Sequence, residues 1–225
     1  MTSSMDPILR VCRTKAQAKE SYDKISRFYD FFAGTFENKY RTIALEWLHV
    51  TNGETVLEIG FGTGQCLRHL AEAVGEQGKS YGIDISSGML EISKKRLEAA
   101  DLLERIELYC GDALHLPYAD AKFDAVFMSF TLELFDTPEI PQVLGEVQRV
   151  LKPHGRLGVV SMSKEDGDSF MLRLYEWVHQ KLPTYVDCRP IYVEEAIKDA
   201  GFAIKRKMKV KLFGLPGEIV LGVKP

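Results

Sequence analysis

Residues Val56-Leu57-Glu58-Ile59-Gly60-Phe61-Gly62-Thr63-Gly64-Gln65 decide the fold, because they carry a β-rich run through a glycine bend into a helical pattern. Thr55 to Ile59 reads as a strand. Leu67, Leu70, Ala71 and Val74 then recur at i, i+3, i+4 and i+7, the apolar stripe of a helix that begins near Gln65 and ends at a Gly75 C-cap. Glycines in the bend remove the Cβ atoms that would keep a ligand off the backbone, and the N–H groups at the helix start favour electron-rich ligand atoms. The stretch points to a nucleotide-like cofactor.

In the dinucleotide fingerprint Gly-x-Gly-x-x-Gly, counted from Gly60, the last glycine would fall on Gln65; here it is Gly64, one residue early. Glu58 stands two residues before the first glycine, where its carboxylate would repel a pyrophosphate and attract an ammonium or sulfonium. A cationic ligand is favoured, which leaves an NAD-type oxidoreductase as the distant alternative.

The same alternation continues outward. Ser80 to Ile85, Arg105 to Cys110, Phe123 to Phe130 and Arg156 to Met162 read as further strands, separated by helical segments, the signature of βαβ units in a parallel sheet. Val143, Leu144, Val147 and Leu151 mark one helix, closed by Lys152-Pro153-His154-Gly155. Val193, Ala196, Ile197 and Ala200 mark another, with Gly201 as its C-cap. Ala203 to Phe213 and Glu218 to Val223 form a closing pair of strands, joined closely enough for an antiparallel hairpin. Lys205, Lys207, Lys209 and Lys211 alternate along the first of these, most simply as its solvent face.

Residues 18–48 precede this pattern, with Tyr22, Ile25, Tyr29 and Phe32 on one helical face and Tyr40, Ile43, Ala44 and Trp47 on another: an N-terminal helical cap. Asp168 to Leu182, carrying Phe170, Leu174, Trp177 and Val178 at helical spacing, reads as an insertion after the fifth strand. The chain is taken as one domain over 1–225, with a cap over 1–48, a cofactor-binding core over 50–165, a substrate-side insertion over 166–189 and a C-terminal helix and hairpin over 190–225.

Composition bounds the function. The 225 residues are 45% hydrophobic and 27% charged, as in an ordinary globular protein, and their formal charge of -3 lacks the basic excess of a nucleic-acid binder. Cys12, Cys66, Cys110 and Cys188 are too widely spaced for a zinc site or a disulfide framework, and no metal-ligand spacing is present. Apolar runs fall far short of the ~20 residues that span a bilayer, and the N-terminus has no secretory pattern. The expectation is a cytoplasmic protein with at most peripheral membrane contact and no nucleic-acid partner.

Two more acids close strands. Asp84 ends the second, 20 residues after Gly64, where a carboxylate accepts hydrogen bonds from two ribose hydroxyls. Asp112 follows the third, where it can accept from an adenine amino group. Glu58, Asp84 and Asp112 at successive strand tips make one cradle for an adenosyl cation.

With these residues in place, the sequence resembles the S-adenosylmethionine-dependent methyltransferases of the Rossmann-like class, over roughly 50–165. The resemblance implies that Glu58, Gly60, Gly62 and Gly64 hold the methionine portion, Asp84 the ribose, and Asp112 with Ala113 the adenine, while Ser129 and Phe130 form the floor below the methyl group and Ile85 also contacts the cofactor. It also implies an α/β, Rossmann-like, doubly wound seven-stranded sheet in the order 3-2-1-4-5-7-6 with the last strand antiparallel. The product would be S-adenosylhomocysteine.

Within the class the chain is similar to the ubiquinone/menaquinone-biosynthesis methyltransferases and their phospholipid N-methyltransferase relatives, through Tyr22 to Asp30, the glycine motif, Gly111 to Pro117 and Glu146 to Pro153. It departs from the quinone pattern at Phe31 to Tyr40, which lacks the Asn-Asp and Ser-x-Gly-x-His segment, and at Leu132-Glu133-Leu134, where that family tends to carry Arg-Asn. The acceptor is therefore left as a small lipophilic molecule, either a quinol-type carbon or a lipid-type amine.

Methyl transfer from a sulfonium is an in-line displacement, so the protein must align the reactants, exclude water and keep the nucleophile unprotonated. A quinol carbon also needs a base to ionise the ring hydroxyl. The candidates are Glu133 and His115. Tyr22, Tyr29 and Trp177 are candidate aromatic walls, whose faces attract a methylsulfonium or methylated ammonium; core packing competes with that role for each.

Overall fold

The computed structural model describes residues 8–11, 14–17, 20, 23, 29–165, 175, 177, 188–212 and 214–225, with the backbone alone at 29–37 and 212. In chain order the elements are α1 (Tyr29–Leu48), β1 (Thr55–Ile59), α2 (Gln65–Val74), β2 (Lys79–Asp84), α3 (Ser87–Ala99), β3 (Ile106–Cys110), β4 (Phe123–Ser129), α4 (Ile140–Val150), β5 (Leu151–Met162), α5 (Val193–Asp199), β6 (Ala203–Leu212) and β7 (Leu215–Val223). The strands form one sheet in the order β3-β2-β1-β4-β5-β7-β6. β1 to β5 pair in parallel, and β7 runs antiparallel to both β5 and β6. The seven-stranded order expected from the resemblance is the one observed.

Strand alternation sorts the core onto two faces. Leu57, Ile59, Val126 and Met128 point to the face covered by α4 and α5, packing with Val143, Leu144, Val147 and Ile197. Val56, Ala125 and Phe127 point the other way, to Ala44 and Leu48 of α1 and Leu70 and Val74 of α2. Glu58 and Ser129 continue this second row by the period of two. They end at the strand tips, where the sheet rises past the apolar packing. On α1, Ala44 and Leu48 are buried, and Arg41 precedes them at i−3 and i−7, so it belongs to the same stripe. The inner face of α1 is thus centred on Arg41, Ala44 and Leu48. Tyr40, Ile43 and Trp47, expected to form it, are only partly buried and flank it.

Other expectations are corrected locally. α4 ends at Val150 with Leu151 as its C-cap, but Leu151 is already the first residue of β5: it pairs with Phe123, and Lys152-Pro153-His154-Gly155 is a bulge inside β5 before Arg156 pairs with Ala125. His154 takes a left-handed φ of 62° there. A bulge also falls between Ile204 and Arg206, so Lys205 drops out of the alternation that Lys207, Lys209 and Lys211 keep. Lys207 is not on a solvent face; it is enclosed by Glu165, Glu194 and Glu218. Of the expected insertion, Tyr175 and Trp177 are described, both helical; Phe170, Leu174 and Val178 lie outside the described residues, as does Tyr22. Among the described residues, no helix is long and apolar enough to cross a membrane.

Candidate active site

The strand order reverses between β1 and β4, and the carboxyl ends of the strands on either side of such a switch point leave a crevice in an open α/β sheet. A cavity of about 400 Å³ lies there. Small-molecule sites run from roughly 300 to 1,000 Å³. Glu58, Asp84 and Asp112, from the tips of three neighbouring strands, all line it. Gly60, Gly62, Ile85, Ala113, Ser129 and Phe130 line it as well.

The three glycines divide their work. Gly62 has a φ of 51°, and a Cβ built on it meets no atom of the described residues within 4 Å, so the missing side chain leaves room for a ligand. Gly64, the N-cap of α2 at φ 79°, does not line the cavity; its absent Cβ makes space for Ser93 of α3. Gly60 clears Thr131 in the same way. Arg96 of α3 secures the bend from outside, donating Nη1 to Thr63 O at 2.7 Å and to Thr63 Oγ1 at 2.9 Å.

Glu58 is 2% exposed, and its Oε2 has no hydrogen-bond partner among the described residues. Burial holds its carboxyl well above the usual carboxylate range; the positive charge of Arg41 works against that rise and Asp84 adds to it. A buried acceptor left unmatched calls for a donor, and a cationic donor matches it best. Asp84 is fixed by two backbone donors, Gly62 N to Oδ2 and Ser86 N to Oδ1, both at 2.9 Å. Burial raises its pKa, and those donors oppose the rise. Asp112 accepts from Leu114 N at 3.1 Å and from Lys15 Nζ at 2.5 Å.

At the end of β4, Phe130 holds a left-handed φ of 52°, which costs a bulky residue strain. Its N–H donates to Val160 O at 2.8 Å, and Thr131 Oγ1 donates to Ser129 O at 3.0 Å, so the bend is locked. Arg41 lines the cavity beside it, with its guanidinium 5.6 Å from the Phe130 ring centroid and Nε 3.2 Å from Ser129 Oγ.

The structure does not bring every candidate to this cavity. Glu133 is fully buried behind it, accepting from Ser161 Oγ at 2.9 Å and from Met162 N at 3.2 Å. His115 is exposed in the turn after Asp112, and Trp177 is 57% exposed; neither is among the lining residues. Tyr29 contributes helical backbone, its side chain lying outside the described residues.

The N-terminal segment supplies what the sequence reading missed. Val11, Thr14 and Lys15 line the cavity. Arg10 forks onto Asp136 through Nε and Nη2, at 2.8 Å and 2.6 Å. Asp23 accepts from Ser86 Oγ at 2.5 Å and Gly88 N at 2.8 Å. Arg189, itself buried, donates to Leu9 O and Phe135 O and so fastens the segment to the loop after β4. Of these residues only Asp23 left a trace in the sequence, inside the Tyr22 to Asp30 stretch that carries the resemblance.

A methyltransferase-domain family model matches residues 56–155. The demethylmenaquinone methyltransferase of Symbiobacterium thermophilum is 36% identical over 215 residues, covering 82% of this chain and 84% of that protein. That of Lactobacillus johnsonii is 36% identical over 143 residues, 64% of this chain, and the match spans 57% of its length. Among solved structures, the cyclase SpnF superposes with a TM-score of 0.75 at 20% identity, over 95% of this chain and 97% of that one. A SAM-dependent methyltransferase from Aquifex aeolicus does so with a TM-score of 0.67 at 24% identity, over 90% and 98%. The structures speak to the fold, and a cyclase among them shows that the fold alone does not fix a reaction. The sequence match carries the assignment: the chain belongs to the S-adenosylmethionine-dependent methyltransferases, in the family of the demethylmenaquinone methyltransferases.

Proposed function

We propose that the chain transfers the methyl group of S-adenosylmethionine to a small lipophilic acceptor, a quinol-type carbon being the first choice. The observation that carries this reading is the opening of Glu58, Asp84 and Asp112, with the glycine bend between the first two, onto one cavity. The residues fit the cofactor. The unmatched Oε2 of Glu58 suits its ammonium, Asp84 its ribose hydroxyls, Asp112 with Ala113 its adenine, and the space beside Gly62 the close approach of its chain to the backbone.

When bound, the cofactor supplies a methyl group on a sulfonium that departs as a neutral thioether. The protein's part is orientation and exclusion of water. Asp84, held by two N–H donors, gives the ribose a fixed partner. Phe130, strained at the tip of β4, presents its ring to the reacting end, and Leu134 and Phe135 extend that apolar wall.

The relatives' names favour a quinol carbon for the acceptor. N-methylation of a lipid-type amine is the second reading. It draws on the positions of Glu133 and His115 away from the cavity lining, since an amine needs no base to ionise a ring hydroxyl. A cytoplasmic location with at most peripheral membrane contact belongs to the same proposal. The test is incubation with methyl-labelled cofactor and a total lipid and metabolite extract. Label in a methylated quinone supports the first reading, label in a lipid amine the second, and no labelled product under conditions where cofactor binds contradicts both.

A further inference from the structure

The amino-acid end of S-adenosylmethionine carries two charges, and Glu58 answers only one. Among the described residues, two cations line the cavity, Lys15 and Arg41. Lys15 is engaged at the β3 side, bridging Asp112 and Glu139. Arg41 is at the other side, where β1 and β4 part. Its Nε is 3.2 Å from Ser129 Oγ, and its charge bears on Glu58. Glu58 and Ser129 occupy the same face of adjacent strands, since Glu58 pairs in register with Phe127, two residues before Ser129. Arg41 comes down onto that face from α1, one turn beyond Ala44, in the stripe that otherwise packs Ala44 and Leu48 against the sheet.

A guanidinium at a core-facing helical position and a buried carboxylate that line one cavity together suit a zwitterion: the carboxylate takes the ammonium and the planar fork takes the carboxylate. We infer that Arg41 binds the α-carboxylate of the cofactor, so that α1 as well as the glycine bend builds the cofactor site. The inference rests on the cofactor reading above and adds a residue outside the glycine bend and the three strand-tip acids.

Two ligands separate this role from a structural one: S-adenosylhomocysteine, and its decarboxylated counterpart, which keeps the adenosine, thioether and ammonium. Their affinities are measured by calorimetry on the full chain, wild type and Arg41→Met. The wild type should prefer S-adenosylhomocysteine by about 10- to 100-fold, the range of a lost hydrogen-bonded charge pair. Arg41→Met should lose that preference, weakening S-adenosylhomocysteine by a similar factor while changing the decarboxylated ligand by less than about threefold. Arg41→Lys should restore part of the preference. Equal weakening of both ligands, or unchanged affinity for S-adenosylhomocysteine, overturns the inference. If the folded wild type binds neither ligand, the cofactor reading fails as well.

Discussion

Lys15 Nζ lies 2.5 Å from Asp112 Oδ2 and 3.0 Å from Glu139 Oε1, so one ammonium ties the N-terminal segment both to the tip of β3 and to the start of α4. The partners are about one-third exposed, and such pairs are screened by salt and contribute less than about 1 kcal/mol each. Lys15→Ala should therefore barely move the melting temperature yet loosen the segment over the cavity. Limited proteolysis is expected to cut residues 8–23 faster in the variant, and in the wild type faster at high salt than at low. Identical cleavage in all three conditions would contradict the latching role of Lys15.

The elevated pKa of Glu58 makes opposite demands on stability and binding. A carboxyl raised by burial stabilises the fold while protonated, and that contribution is lost as pH rises from the unfolded value through the folded one. Glu58→Gln has no such loss, so its melting temperature relative to wild type should climb as pH rises above the ordinary carboxyl range. Its affinity for S-adenosylhomocysteine should fall about tenfold or more, because a neutral amide replaces the ammonium's charged partner. Calorimetry and melting curves on the same samples check both. A variant that is less stable at the higher pH, or binds as tightly as wild type, goes against the account.

Gly62 and Gly64 should fail differently when replaced. Gly62→Ala puts a methyl into open cavity at a left-handed φ, for a strain of about 1–2 kcal/mol, and should impair ligand binding well before it impairs folding. Gly64→Ala adds a collision with Ser93 to the same strain and should unfold at a distinctly lower temperature. Ser93→Gly in that background should recover part of the loss. Equal melting temperatures for the two alanine variants would count against this division of labour.

Glu218, 1% exposed at the start of the β7–β5 pairing, is pushed up to about 7, first by burial and then by the neighbouring carboxyl of Glu165, with Lys207 opposing. Glu194 and Lys209 complete the charges around it. A raised carboxyl favours the fold while protonated, so wild-type stability should decline as pH climbs through about 7, and Glu218→Gln should flatten that decline. Melting temperatures across this range decide it; parallel curves for the two proteins would contradict it.

The sheet and the acidic cradle were legible because each rests on local pattern. β1, β2 and β4 are buried on both faces, β1 and β4 read as mostly apolar runs, and the acids that end or follow strands fall at the same height once the strands are parallel. Arg41 was not legible, since periodicity counts an arginine as solvent-facing; only the packing of Ala44 and Leu48 turns it inward. Nor was the N-terminal segment, whose contacts reach 97 residues to Asp112 and 126 to Asp136 without any short-range signal. Lys207 looked like a surface lysine, because nothing local signals the three glutamates from other elements that enclose it.

The most direct test is a calorimetric titration of the full chain with S-adenosylhomocysteine and, separately, with NAD, in wild type and Asp84→Ala. One site for S-adenosylhomocysteine, no binding of NAD, and a loss of about 1–3 kcal/mol in the variant are predicted, since Asp84 offers the ribose a charged acceptor fixed by Gly62 and Ser86. A folded wild type that ignores S-adenosylhomocysteine, or an Asp84→Ala variant that binds it undiminished, would contradict the shared cradle.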